Sequence, residues 1–158
     1  MKFINISKNE NESNYHIYFN DDSTETKRTY LKEEDNVEKI KIILNCGFKS
    51  LKGLFSEFEN NKQIVFIKFK RNDFEDMSYM LYCCVSLNYL DLSHFNTRNI
   101  TNMSYMSNNC RSLKNIDLSN FNAQKIANLR SMFAGCVLLK DMDMSNFIIC
   151  ISGMFYDC

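Results

Sequence analysis

The chain has 158 residues, enough for one domain with its own core, and 45% of them are hydrophobic. Its 19 basic and 19 acidic residues cancel. They also balance within each half, so the clustered positive surface that nucleic acid requires is not expected. The longest apolar run, Phe147 to Ile151, is five residues, far short of the ~18 that a membrane span needs.

The first residues, Met1 to Tyr15, turn polar within seven positions and lack the apolar centre of a signal peptide. This predicts a cytoplasmic protein if the chain is complete, or a piece of a longer one. Lys2–Ile6 and Asn14–Phe19 alternate like strands. The polar stretch Asn20–Thr29 comes next as a loop, and Lys39–Leu44 looks like the strand of a half-repeat. Residues 1–45 are therefore expected to form a β-rich cap over the first open core face of residues 46–158.

From there the chain repeats itself every 26 residues. Asp76–Ile100, Asn102–Ile126 and the stretch from Asn128 are three clear copies, and their positions march together: Cys84, Cys110, Cys136; Leu92, Leu118, Met144; Phe95, Phe121, Phe147. One repeat upstream of Met77, Met80, Leu90, Leu92 and Phe95 stand Leu51, Leu54, Ile64, Phe66 and Phe69, all apolar. A degenerate first copy thus spans 48–73, followed by units at about 74–99, 100–125 and 126–148 and a partial one at 149–158. The last begins early, Met154 lying 22 residues after Met132, so four residues are missing before it. Self-similarity at this period predicts a solenoid.

Within a unit, Met77, Met80, Leu81 and Cys84 fall at i, i+3, i+4 and i+7, the spacing of one helical face. The residue before each such stripe is Ser50, Asp76, Asn102 or Asn128, and all are favoured N-caps. The second half of the unit switches to period two. Leu90 and Leu92 face one side, Tyr89, Asp91 and Ser93 the other, with Leu87 and Phe95 turning inward. Equivalent strands are expected at Gln63–Phe69, Lys114–Ser119 and Lys140–Ser145, and the Asn-rich tails after them suit turns. The predicted fold is an α/β solenoid of the leucine-rich-repeat type: short strands in one parallel sheet, short helices behind it, and the β-rich cap in front.

The order Met-Ser-Tyr-Met, Cys, Ser-Leu, Leu-Asp-Leu-Ser, Phe-Asn across Met77–Asn122 resembles the BspA-like leucine-rich-repeat proteins. These are surface and lipoprotein repeats of Mycoplasma-type and other bacteria and of several protists. The resemblance covers about two thirds of the chain, clearly over 74–158 and faintly over 48–73. It implies a cell-surface solenoid used for adhesion or protein binding, with no catalytic residues to carry over. The sequence departs from that family in lacking a secretion signal, a complete last repeat and four residues before Met154. Phe95, Phe121 and Phe147 also stand where the commonest leucine-rich repeats stack asparagines.

The candidate partner-binding face is the polar side of the strands: Tyr89, Asp91 and Ser93, then Asn115, Asp117 and Ser119, then Asp141, Asp143 and Ser145. Parallel stacking would set Asp91, Asp117 and Asp143 roughly 5 Å apart, raising the pKa of at least one or recruiting a cation such as Ca²⁺. The plainer reading is a solvated row, partly neutralised by Lys114 and Lys140, that keeps sheets from aggregating. Seven cysteines is an odd number, and four (Cys84, Cys110, Cys136, Cys158) follow the repeat; a packed ladder of reduced thiols fits better than a disulfide framework or zinc. His16 and His94 sit apart with no nucleophile motif near any Ser or Cys, and no glycine-rich phosphate loop exists. The expectation is a non-catalytic module without cofactor or metal that binds a protein partner. The alternative is a structural unit that self-associates through an open C-terminal end.

Overall fold

The computed structural model describes residues 3–6, 15–20, 22–32, 34–35, 37, 40–44, 50–58, 63–65, 74–92, 95–140, 142–147 and 153–155. Four strands occur among them: β1 (Tyr15–Phe19), β2 (Ile40–Leu44), β3 (Gln63–Val65) and β4 (Tyr89–Asp91). The first two pair antiparallel, Tyr15 opposite Leu44 and Phe19 opposite Ile40. The other two pair parallel over three residues.

The expected stack of helix-plus-strand units on a parallel sheet is not what the chain forms. No helix occurs among the described residues, and parallel pairing shrinks to β3–β4 and single bridges linking Ser50, Asp76, Asn102 and Asn128. Lys114–Ser119 and the described part of Lys140–Ser145 are not strands, and neither is 3–6. Lys39–Leu44 contains a strand, but it pairs antiparallel with β1, in a sheet separate from β3–β4. The end of Gln63–Phe69 lies outside the described residues.

The apolar stripes predict burial correctly and backbone wrongly. Met77, Met80, Leu81 and Cys84 are fully buried, as are Met103, Met106, Cys110, Met132, Phe133 and Cys136. The segment carrying each stripe is a run of consecutive turns. Met80 N donates to Met77 O, Tyr82 N to Tyr79 O and Cys84 N to Leu81 O, each closing a three-residue step. The N–H groups between them leave the segment. Met77, Tyr79, Leu81 and Cys83 donate to the carbonyls of Asn102, Ser104, Met106 and Asn108 at 2.8–3.1 Å. Leu51, Gly53, Phe55 and Glu57 do the same towards Asp76, Ser78, Met80 and Tyr82; Met103, Tyr105, Ser107 and Asn109 towards Asn128, Arg130, Met132 and Ala134. A helix spends every N–H on its own carbonyl four residues back. Nine residues make a marginal helix, whereas the turn run ties each of the first three copies to the next with four backbone bonds.

That backbone needs left-handed residues at two fixed places. One is Gly53, Tyr79, Tyr105 and Ser131; the other is Glu57, Cys83, Asn109 and Gly135, all with φ between 51° and 72°. Glycine and asparagine adopt this conformation at little cost. At Gly135 an added Cβ would also meet Asn109 Oδ1 at 2.5 Å.

The predicted helix caps keep their side-chain role in a different setting. Asp76 Oδ1 accepts from Ser78 N at 2.8 Å, Asn102 Oδ1 from Ser104 N, Asn128 Oδ1 from Arg130 N, and Ser50 Oγ from Lys52 N. A bond to the N–H two residues on is the Asx or Ser turn, which opens each turn run. The four-residue deletion shows in the last rungs: Phe133 N reaches Met154 O, 21 residues on, where Ser107 N reaches Met132 O, 25 on.

The core runs through the inside of the repeats. Phe74, Ile100 and Ile126 are buried on the returning segments, and Leu87, Phe95, Phe121 and Phe147 on the others. It continues into Phe3, Ile4, Tyr15, Ile17 and Leu44. Cys84, Cys110 and Cys136 are buried and in no disulfide. Their thiols donate to Phe55 O, Leu81 O and Ser107 O at 2.9–3.2 Å, each 29 residues back. Burial pushes the Cys84 thiol up to about 12 and raises Cys110 in the same way. Cys46, Cys150 and Cys158 lie outside the described residues.

Candidate functional site

The polar face is built from corners. After the inward residue Leu118, and at Met144, the chain turns, and the Asx turn again sets the geometry. Asp117 Oδ1 accepts from Ser119 N at 2.9 Å and Asp143 Oδ1 from Ser145 N at 2.8 Å. Both aspartates and both serines are exposed, one repeat apart. Tyr89, 49% exposed, and the half-buried Asp91 sit on β4 opposite Gln63 and Val65. Asn115 is exposed. Ser93 and Asp141 lie outside the described residues.

The expected mutual repulsion does not govern Asp117 or Asp143. Hydrogen bonds from the Ser119 side chain and backbone hold Asp117 below the usual carboxylate range, and those from the Ser145 backbone and side chain do so for Asp143. The charge of Asp117 opposes the shift at Asp143 only weakly. Among the described residues no three His, Cys, Asp or Glu side chains sit close enough together to hold a metal ion.

A neighbouring feature is absent from the sequence-based expectations. Beside the serine corners lies an open groove of about 410 Å³, lined among others by Asn96, Arg98, Ser119, Asn122, Gln124 and Asn146. Asn96 and Asn122 occupy one repeat slot, and each takes the N–H of the residue two positions on, Arg98 and Gln124. The amide oxygens are spent on the turns. Asn146 Nδ2 donates to Ser119 O, Lys125 Nζ to Asn99 Oδ1, and Asn122 N to the buried Thr97 hydroxyl. Residue type marks these asparagines as turn formers; their 26-residue recurrence is the signal that also makes them a surface row.

A second row lies on the outer side of the turn runs. Tyr79 and Tyr105 stack with ring centroids 4.9 Å apart and planes at 12°, and Tyr82 packs on Tyr79 at 5.5 Å. A hydrogen bond with the Cys83 thiol raises the Tyr82 hydroxyl above its ordinary range. Tyr79 and Tyr105 recur at the repeat spacing, a signal present in the sequence. In the N-terminal part, His16 Nδ1 lies 3.0 Å from Glu25 Oε1, and Arg28 clasps Asp35 through both terminal guanidinium nitrogens. His94 lies outside the described residues. No helix of the described residues is long and apolar enough to cross a membrane.

Comparison with curated proteins and with solved structures returns no match. Residues 49–158, all the repeats and most of the chain, match the family described as "Mycoplasma protein of unknown function, DUF285", and the chain belongs to that family.

Proposed function

We propose that this chain is a non-catalytic interaction module of the BspA-like kind, which engages a protein partner through the polar corners of successive repeats. Its recognition face is Tyr89 and Asp91, then Asn115, Asp117 and Ser119, then Asp143 and Ser145. The supporting observation is that Asp117 and Asp143 stand exposed in the same Asx turn, one repeat apart. A side chain already fixed by a hydrogen bond loses little rotamer freedom on binding, so a row of them favours recognition over a freely moving charged surface. Charge of one sign repeated along the row steers a partner with a basic patch.

The test exploits the chemistry of the turn. Asp91→Asn, Asp117→Asn and Asp143→Asn together remove three charges, while the amide oxygens at 117 and 143 still accept the turn N–H. Crosslinking pull-downs with the wild type define a partner set. The triple variant, folded by circular dichroism, is expected to lose most of that set. Retention of every partner would reject the acidic face as the recognition surface.

A further inference from the structure

The groove beside the serine corners has a polarity of its own. Its fixed acceptors are spent. Asn96 Oδ1 takes Arg98 N at 3.2 Å, and Asn122 Oδ1 takes Gln124 N at 3.1 Å. The buried Thr97 hydroxyl takes Asn122 N at 2.7 Å, which brings the two asparagine turns together, and Ser119 O takes Asn146 Nδ2. The donors are left over. An amide whose oxygen is held by a turn has its orientation decided, so Asn96 and Asn122 each keep a placed Nδ2. Among the described residues nothing accepts from either amide or from the Thr97 hydroxyl. Arg98, exposed in the same lining, enters none of the ion pairs of the described residues. Among the described residues no acidic side chain lines the groove.

We propose that this groove is a carboxylate subsite that takes an acidic side chain of the protein partner, a proposal that rests on reading the corners as the recognition face. Placed amide donors, a hydroxyl proton and an unopposed guanidinium fit an acceptor that carries negative charge. A sugar would instead lay its ring on an open aromatic face, and the aromatic rings of this lining, Phe95 and Phe121, are buried. The partner segment then carries both signs. It is basic where it meets Asp117 and Asp143, and acidic beside them, where Asn96, Arg98 and Asn122 line the groove. Ser119 and Ser145 join the two strips, since they line the groove while their N–H groups bond the aspartates. Opposite charges side by side set the direction in which a segment lies and reject one of a single sign.

The probes are two blocked tripeptides that differ only in a central glutamate or glutamine. Each is titrated into the isotope-labelled chain while NMR follows the Arg98 Nε–H and the side-chain amides of Asn96 and Asn122. The glutamate probe is expected to shift these signals saturably, and the glutamine probe to leave them in place. Arg98→Gln should weaken the glutamate probe about ten-fold, the loss of one charge-assisted hydrogen bond. Asn96→Asp keeps the turn acceptor but replaces the donor with a like charge, and should abolish binding. The triple variant of the corner aspartates should bind the glutamate probe at least as tightly as the wild type, because it removes neighbouring negative charge. The corner reading is therefore rejected by its own pull-down, whose result leaves this titration unchanged. Equal shifts from the two probes, no saturable shift from glutamate, or unweakened binding to folded Arg98→Gln would overturn the subsite. So would a neutral trisaccharide that shifts the same signals where the glutamate probe does not.

Discussion

On the turn-run side of each of the first three repeats, four N–H groups cross to the next copy and the side chains beneath them are apolar and buried. On the corner side, the described backbone links between copies are fewer: the short β3–β4 pairing, and Lys140 N donating to Lys114 O. There, side chains bond their own turns and face water. One side is built to hold copies together and tolerates little change of shape. The other leaves chemistry free to vary over a fixed backbone, which is where binding residues belong.

The largest contrast should come from truncating the buried stripe. Leu81→Ala removes a side chain with no exposure, whose N–H also serves Met106. A loss of about 2–5 kcal/mol in chemical denaturation is expected. Asn115→Ala, exposed on the corner side, should stay within about 0.5 kcal/mol. Equal losses would erase the distinction between the two sides.

Next come the left-handed positions. Gly135→Ala combines a left-handed backbone with a close approach to Asn109 and should cost at least about 1–2 kcal/mol, the ordinary penalty of that conformation. Cys83→Gly, at the equivalent slot with φ 58°, should be neutral or stabilising by up to about 1 kcal/mol. Opposite signs at one slot are the mark of this backbone. In a helix, glycine would be the destabilising residue at both.

A pH effect separates the sides further. Burial holds Cys84 protonated up to about 12, from an ordinary value of 9.0. The unfolded thiol therefore ionises first. Stability from this group is complete below about pH 9 and declines as pH rises towards 12. Urea midpoints across that range should fall less steeply in Cys84→Ala than in the wild type, and the folded thiol should resist alkylation. On the corner side the sign reverses. Asp117 and Asp143, held low by their serines, contribute stability above their ordinary range that fades as pH falls through the lowered values. Being exposed, they should give the smallest effect of the series, visible as a slight flattening of the acid limb in Asp117→Ala with Asp143→Ala.

Much of this is legible in the residues. The 26-residue register, the buried stripes, the reduced and buried Cys84, Cys110 and Cys136, and the side-chain acceptors at Ser50, Asp76, Asn102 and Asn128 all come from spacing and residue type. The backbone under the stripe does not, because spacing of three and four residues is common to a helix and to a run of turns. The distinguishing signal is the position of the glycines. Gly53 and Gly135 look scattered, yet each fills one of the two left-handed slots, and Asn109 fills one in a third repeat. Lys114–Ser119 alternates as a strand does, but among the described residues its copies meet through too few backbone bonds to form one. The bonds from Asn5 to Leu54 O and Ser56 O are beyond sequence, since no spacing relates the two segments.

Scalar couplings measured across hydrogen bonds by NMR test the account most directly. The amide of Leu81 should couple to the carbonyl carbon of Met106, and that of Tyr105 to Arg130. Coupling of Leu81 to Met77, four residues back, would restore the helix and contradict the turn ladder on which this description stands.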